Sequence, residues 1–395
     1  MHLGAAAALL LAAGNTLAQT PPGEPPPPAR LPAAPPIEAP APAPASAPAG
    51  AELQFQVSAF TFQGNTVFDS ATLAPLVADF LNRPVSVADL NSAADRITAW
   101  YVHHGYTLAL AMIPVQTIND GSVRIEVLEG RIAHLQADSH LYRPASVEHA
   151  LQPLASGAIY RAPDMEAGLL RLNNRPGLHA RALLRPGAEA GDTNILVQTQ
   201  EQRFAALASV DDYGRDSLGR GRLTLDGEIN NPFGLSDHAQ LLALGSSTGG
   251  LYYGYAGYDS ALGSDDWRGR VSYGEAHYKL SGVLDGINGK SRTGGAELDW
   301  TALRRRSGQL MLTLQASRVL SNTSFEDTPL PFDERYNLVQ LGLQHLWAAP
   351  GGRWATQASM DIGSSLKQPD PASADSVRLR AELDAQVRYA FAARW

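Results

Sequence analysis

Two periodicities divide this chain. From Gln54 to Glu201 short alternating runs are interleaved with stretches of helical period; after Gln202 only alternation at period two remains. "QFQVSAFTFQGNTVF" has strand character punctuated at Gly64-Asn65, and "DSATLAPLVADF" and "SVADLNSAADRITAWYVHHGY" then predict helices. The second helix has Ser86 at its N-cap with Asp89 three positions on. Leu90, Ala93, Ala94, Ile97, Trp100 and Tyr101 supply one apolar face, and Gly105 is placed to end it. Two strands follow, "YTLALAMIP" and "SVRIEVLEG", turned around Asn119-Asp120-Gly121. The order β-α-α-β-β then recurs: "RIAHLQADS", "PASVEHALQPL", "PDMEAGLLRLNNRPG", "LHARALLRPG" and "TNILVQTQE". Two units of about 75 residues therefore stand in tandem, a repeat of structure more than of letters.

Beyond Gln202 alternation is clearest near the end. In "VRLRAELDAQVRYAF", Val377 through Phe391 place apolar residues on one face, with Arg378, Arg380, Glu382, Asp384, Gln386 and Arg388 on the other. A soluble sandwich also alternates. Length and connections separate the two cases. About ten strands are present, many reaching the ~9–11 residues that a tilted strand needs to cross a bilayer. Compact turns ("NNPFGLSD", "LGSDDW", "LRRRSG", "AAPGG") alternate with longer polar loops ("DDYGRDSLG", "KLSGVLDGINGKSR", "NTSFEDTPLPFDER", "SLKQPDPASADS"), "SSTGG" alone being short in the second set. Short turns on one side and long loops on the other are the pattern of an outer-membrane barrel. If the tandem units are periplasmic, the parity puts every short turn on their side.

Composition agrees. Charged residues make up 18% of the 395 and the mean hydropathy is −0.16. The charged share is below the ~25% usual for soluble domains, yet the chain is without the runs of a helical membrane protein. A net charge of −8 leaves no footprint for nucleic acid, and the absence of cysteine excludes disulfides and thiolate chemistry. Residues 1–18 read as a signal peptide, with an apolar run from Ala5 to Ala13 but no basic stretch before it. Residues 19–53, rich in Pro and Ala, read as an extended linker. The remaining divisions fall at 54–130, 131–202 and 203–395.

No site for catalysis, metal or cofactor is expected. His103-His104 has no third ligand nearby. Adjacent residues in "LSDH" (Leu235 to His238) cannot build a triad. "GSSTGG" lacks the Lys of a phosphate loop, and Arg304-Arg305-Arg306 reads as a solvated turn.

"FQGNTVF" (Phe62 to Phe68), "WYVHHGYTLALAMIPVQTINDGSVRIEVLEGRI" (Trp100 to Ile132), "LLRLNNRPGLHARALLRPGAEAGDTNILV" (Leu169 to Val197) and "NNPFG" (Asn230 to Gly234) resemble the TpsB transporters of two-partner secretion, the haemolysin-activator family. The resemblance covers about residues 54–395. It implies an α+β tandem of POTRA domains followed by an antiparallel transmembrane β-barrel, for which the family expects sixteen strands. The expected location is the Gram-negative outer membrane, with the POTRA domains in the periplasm. The implied partners are a large secreted β-helical exoprotein of the TpsA type and outer-membrane lipid, with the barrel a monomer. Two departures stand out. The family's Val-Arg-Gly loop is missing, so roughly the last six strands are expected to be absent, and the Pro-rich 19–53 segment suits no pore-plugging helix. By the family's topology Thr107, Leu108, Ala109, Leu110, Ala111 and Met112 form an edge strand able to capture the exoprotein by β-augmentation. Arg378, Arg380, Glu382 and Asp384 would line the pore. The alternatives are a barrel-assembly factor of the same superfamily and a periplasmic POTRA module with no export.

Overall fold

The computed structural model describes residues 54–118, 120–305, 307–326, 328–329, 334–348, 354–367 and 379–391. The expected signal peptide, the linker up to residue 53 and Arg378 lie outside the described residues.

The first unit opens with β1 (Gln54–Gln56) and β2 (Ala59–Gln63). The helix expected over "DSATLAPLVADF" is a single α-turn, Ser70–Leu73, which tightens into a 3-10 helix, Ala74–Phe80. Asp69 caps it by accepting the Thr72 N–H at 2.9 Å. Pro75, with no N–H to donate, is where the i→i−4 ladder ceases to be possible. After β3 (Pro84–Ser86), which pairs with β1, the long helix Val87–His103 starts on a full capping box. There Asp89 N–H donates to Ser86 Oγ, and Ser86 N–H to Asp89 Oδ2. Leu90, Ala93, Ala94, Ile97 and Tyr101 turn inward, as their spacing requires. They pack on a sheet of order β2-β5-β4, where β4 is Leu110–Met112 and β5 is Ser122–Leu128. β2 runs parallel to β5, and β4 antiparallel to it. Val57, Leu73, Val85, Val123 and Ile125 complete a core from which water is excluded.

The second unit repeats the design. β6 (Arg131–Asp138), the helices Pro144–Ala150 and Ala162–Asn173, β7 (Leu178–Pro186) and β8 (Asp192–Glu201) give the order β6-β8-β7. Ile132, Val147, Leu151, Leu154, Leu172 and Val197 form its core. Each such side chain contributes about 1.5–3 kcal/mol by leaving water, an upper figure because the unfolded chain already buries part of it.

The remainder is one antiparallel sheet. β9 (Phe204–Asp211), β10 (Arg222–Asn230), β11 (His238–Ser246), β12 (Leu251–Ala261), β13 (Trp267–Lys279), β14 (Ile287–Arg305) and β15 (Gly308–Phe325) pair in sequence. The short β16 (Thr328–Pro329) pairs with β15, and β17 (Glu334–Ala348), β18 (Trp354–Lys367) and β19 (Leu379–Phe391) extend the order. Every neighbouring pair is antiparallel, so no crossover interrupts the meander. Register separates two faces. On one, Leu223 and Leu225 sit across from Gly245 and Ala243, and Leu314 across from Leu298 and Leu341. On the other, Asp226, Gln240, Arg270 and Glu297 alternate with small residues. Leu223, Leu241, Leu314 and Leu341 are all about half exposed, so this sheet turns its apolar side outward. Among the described residues, ten principal strands with leucines turned outward match the expected architecture of a membrane-spanning barrel wall preceded by tandem POTRA units.

Candidate functional site

Three parts of the molecule bear on how a chain would be received and passed on: the sheet edges of the tandem units, their junction with the large sheet, and the polar face of that sheet.

The hairpin Ala111–Ile132 organises the first unit. Glu129 is 7% exposed and accepts from Thr66 Oγ1, from Val67 N–H at 2.8 Å and from Tyr101 Oη at 2.8 Å. One carboxylate thereby ties the "FQGNTVF" loop to the long helix. Burial, and then the bond to Glu129, raises the Tyr101 phenol pKa, so the hydroxyl stays a donor. Gln116 continues the hairpin where the main chain leaves it: its Nε2 donates to Arg124 O and its Oε1 accepts Arg124 N–H, each at 2.8 Å. That is the task of Gln in "PVQ". Gly130, at φ +72°, lies so close to Leu108 that a Cβ would collide with it. The Tyr160 N–H donates to Gly130 O, and the Ala162 N–H to Gly105 O, which fixes one unit on the next. Glu201 occupies the corresponding place in the second unit, gathering Ser139 Oγ and the N–H groups of His140 and Leu141. Burial works against its ionisation, but those donors outweigh it and hold its pKa below the ordinary value.

The edge strand is shorter than expected. Only Leu110–Met112 pairs with β5; Thr107 and Leu108 lie in a turn closed by Ala109 N–H to Tyr106 O, and Ala109 precedes the strand. The cause is the junction: Leu108 packs into the core of the second unit and is drawn off the sheet edge. Nor is the edge wholly free. The Ala111 N–H donates to Thr98 Oγ1 at 2.9 Å, so the preceding helix already holds this outward-facing donor. Leu110 remains 47% exposed. The second unit presents a longer edge that sequence reasoning missed, β7. Its Ala180 N–H and C=O are both engaged by the Asn173 amide, at 2.6 and 3.2 Å. Asn at the end of a helix before a strand was the available signal.

The junction rests on Arg175. This side chain, 6% exposed, makes a bidentate pair with Asp265, Nε to Oδ1 at 3.0 Å and Nη2 to Oδ2 at 2.9 Å. It also donates to Ser146 and lies over the Tyr142 ring at 5.5 Å. Asp265 belongs to the short turn between β12 and β13. The turn between β10 and β11 docks as well, through Asn231 Nδ2 to Leu141 O at 2.7 Å. Gly177, at φ +65°, follows Arg175-Pro176 and is closely approached by Gln202 O and Asn230. The "LSDH" stretch contributes structure: Asp237, fully buried, accepts from Phe233 and Leu235 N–H and from Tyr258 Oη. It shapes the "NNPFG" turn for this contact. Arg304 pairs with Asp266 at 2.9 Å beside it, so it is a junction residue rather than a solvated one.

On the polar face, Asp259 meets Arg268 and His238, and Arg270 meets Glu297 at 3.1 Å. Arg380, Glu382 and Asp384 of β19 pair across from Ser365, Gly363 and Asp361, in the same register phase. His104 of the His pair bonds Trp100 O at 2.7 Å and lies tilted against that ring, centroids 4.3 Å apart, finishing the helix. Among the described residues no group of three or more potential metal ligands occurs.

Comparison with known proteins bears on this arrangement. A POTRA domain of the ShlB type matches residues 55–130, and the model of the haemolysin secretion/activation protein ShlB/FhaC/HecB matches 191–394. The heme/hemopexin transporter protein HuxB of Haemophilus influenzae is 25% identical over 280 residues, 70% of this chain and 50% of that protein. The hemolysin transporter protein ShlB of Serratia marcescens is 23% identical over 343 residues, 84% of this chain and 60% of that one. Among solved structures, CdiB from Escherichia coli superposes with a TM-score of 0.63 at 21% identity, covering 87% of this chain and 66% of its own. The chain spans about half the length of the curated relatives it matches.

Proposed function

The chain belongs to the haemolysin secretion/activation family ShlB/FhaC/HecB, and from that premise we propose that it is an outer-membrane translocator exporting a large β-helical exoprotein. The observation that carries this reading is the reach of the family model, 191–394: it spans β8 and the whole large sheet, the parts that would form the conduit and hold its periplasmic domain in place. The protein resides in the Gram-negative outer membrane, its tandem units in the periplasm.

An unfolded exoprotein segment meets the first unit at Thr107–Met112. Leu110 supplies an apolar contact, and the main chain of Leu110–Met112 supplies a pairing edge once the Thr98 hydroxyl yields the Ala111 N–H. The segment then passes to a pore lined by Arg380, Glu382 and Asp384 on β19, where opposite charges limit adhesion. No nucleotide is consumed. Folding of the exoprotein outside the cell withdraws the chain from the pore and gives transport its direction.

The test is export. Co-expression of the full chain with the exoprotein of its operon, in a laboratory strain lacking both, should place that exoprotein in the medium, and Leu110→Asp should reduce it several-fold. Exoprotein retained in the periplasm, while the transporter sits folded in the outer-membrane fraction, would overturn the reading.

A further inference from the structure

The outward face of the large sheet is not uniformly apolar, and its exception lies toward the end away from the tandem units. Following β13 along that face, register gives Trp267, Gly269, Val271, Tyr273, Glu275 and His277. Trp267 stacks on Trp300 of β14 with centroids 5.6 Å apart, beside the short turn that holds Asp265 and hence at the end docked by the second unit. Eight positions on, the face changes character. Glu275 accepts from Lys290 Nζ at 2.5 Å, Arg292 Nε at 3.0 Å and His277 Nε2 at 2.6 Å. Arg318 of β15 pairs across from Gly294, one diagonal step from Arg292, and Arg335 of β17 pairs across from Leu320. Both arginines are exposed, and neither has an acidic partner among the described residues.

Distances along the strand set the depth. At about 3.4 Å per residue and a tilt near 40°, the eight to ten positions from Trp267 to Glu275 and His277 rise about 20–27 Å. That is the height of the apolar band of an outer-membrane barrel, about 25 Å. The tryptophan pair therefore lies at one membrane interface, where such rings gather, and the cationic cluster at the opposite, outer one. Cations on a lipid-facing surface are tolerated at that level only if something polar meets them. Among the described strand residues of this face one carboxylate, Glu275, stands with four fixed cations: Lys290, Arg292, Arg318 and Arg335. The excess positive charge is spread across three neighbouring strands, β14, β15 and β17, suited to several phosphate oxygens rather than one.

We propose that Lys290, Arg292, Arg318 and Arg335 form a lipid-facing site for the phosphorylated headgroup of the outer-leaflet glycolipid, lipid A. Guanidinium groups engage phosphate oxygens two at a time, and Lys290 adds a point charge. Glu275 holds Lys290 and Arg292 upright along the face. The site rests on the outer-membrane location given above, but not on export.

The test uses the full chain in neutral detergent, with diphosphoryl lipid A and its dephosphorylated form as probes, read by native mass spectrometry. The unaltered chain should retain diphosphoryl lipid A. The triple variant Lys290→Gln, Arg292→Gln, Arg318→Gln should lose at least tenfold in binding, and the dephosphorylated probe should bind no better than that. Arg318→Gln alone, outside the Glu275 cluster, should give an intermediate loss and serves if the triple variant loses its heat-modifiable migration. Equal binding by variant and unaltered chain, equal binding of both probes, or displacement by millimolar inorganic phosphate would overturn the site. A chain that binds lipid A by its phosphates and exports nothing fails the transport reading alone. One that exports without phosphate-dependent binding fails this inference alone.

Discussion

The tandem units and the large sheet use apolar residues in opposite ways. In residues 54–202 valines, leucines and isoleucines such as Ile125, Leu151 and Val197 are wholly withdrawn from water. In the sheet Leu241, Val271, Leu314 and Leu341 are 48–65% exposed, while Asp259 and Ser291 are buried. The first arrangement is driven by water, the second makes sense only in lipid, where the outward leucines find an apolar solvent and the backbone must pair within the sheet. The same alternating pattern carries no inside or outside of its own; the surrounding solvent assigns it.

Substitutions in each region test that contrast. The largest effect is expected where the two regions meet. Asp265→Ala leaves the Arg175 guanidinium buried without its partner, at a cost of about 3–5 kcal/mol. Limited proteolysis should then release the tandem units from a sheet that stays protected. Next is the core of the first unit. Ile125→Ala should cost about 2–5 kcal/mol in denaturant unfolding of the full chain, whereas Leu341→Ala, outward on the sheet, should cost well under half as much in detergent. Similar losses at both sites would erase the distinction. Reversing polarity is the converse probe: Leu314→Arg, near the middle of β15 on the outward face, should cost about 2–4 kcal/mol of folding into bilayers.

The smallest effect concerns Glu201. Its pKa is lowered in the folded state, so it contributes stability at neutral pH that is lost as pH falls below 4.5 and through the folded value. Glu201→Gln should remove about 1–3 kcal/mol at pH 7 and flatten the acid limb of the stability curve. An unchanged limb would show that Glu201 does not anchor its unit.

Much of this was legible beforehand. The capping box at Ser86 and Asp89, the inward face of the long helix, the β-α-α-β-β order and the ten alternating strands all follow from local period and cap chemistry. The short extent of β4 was not legible, because Leu108 is taken by the second unit, 20 or more positions away in sequence. "DSATLAPLVADF" misled for a local reason, its internal proline. In the sequence Asp237 belonged to a rejected triad, Arg304 to a solvated turn, and Arg175 to the end of an expected helix. Each acts at the docking surface, across chain separations that no sequence window spans.

Sequence alone determined the class of each segment: helix or strand, tandem unit or lipid-crossing strand. Period is a property of neighbouring residues, and strand length together with short turns facing long loops marks the lipid-crossing strands. Tertiary structure alone decided which short turns the tandem units dock on, which edges stay open to a passing chain, and that Lys290, Arg292, Arg318 and Arg335 gather on one face. Those are relations between strands, fixed by register and by the Arg175–Asp265 pair, and register exists only once the strands have met.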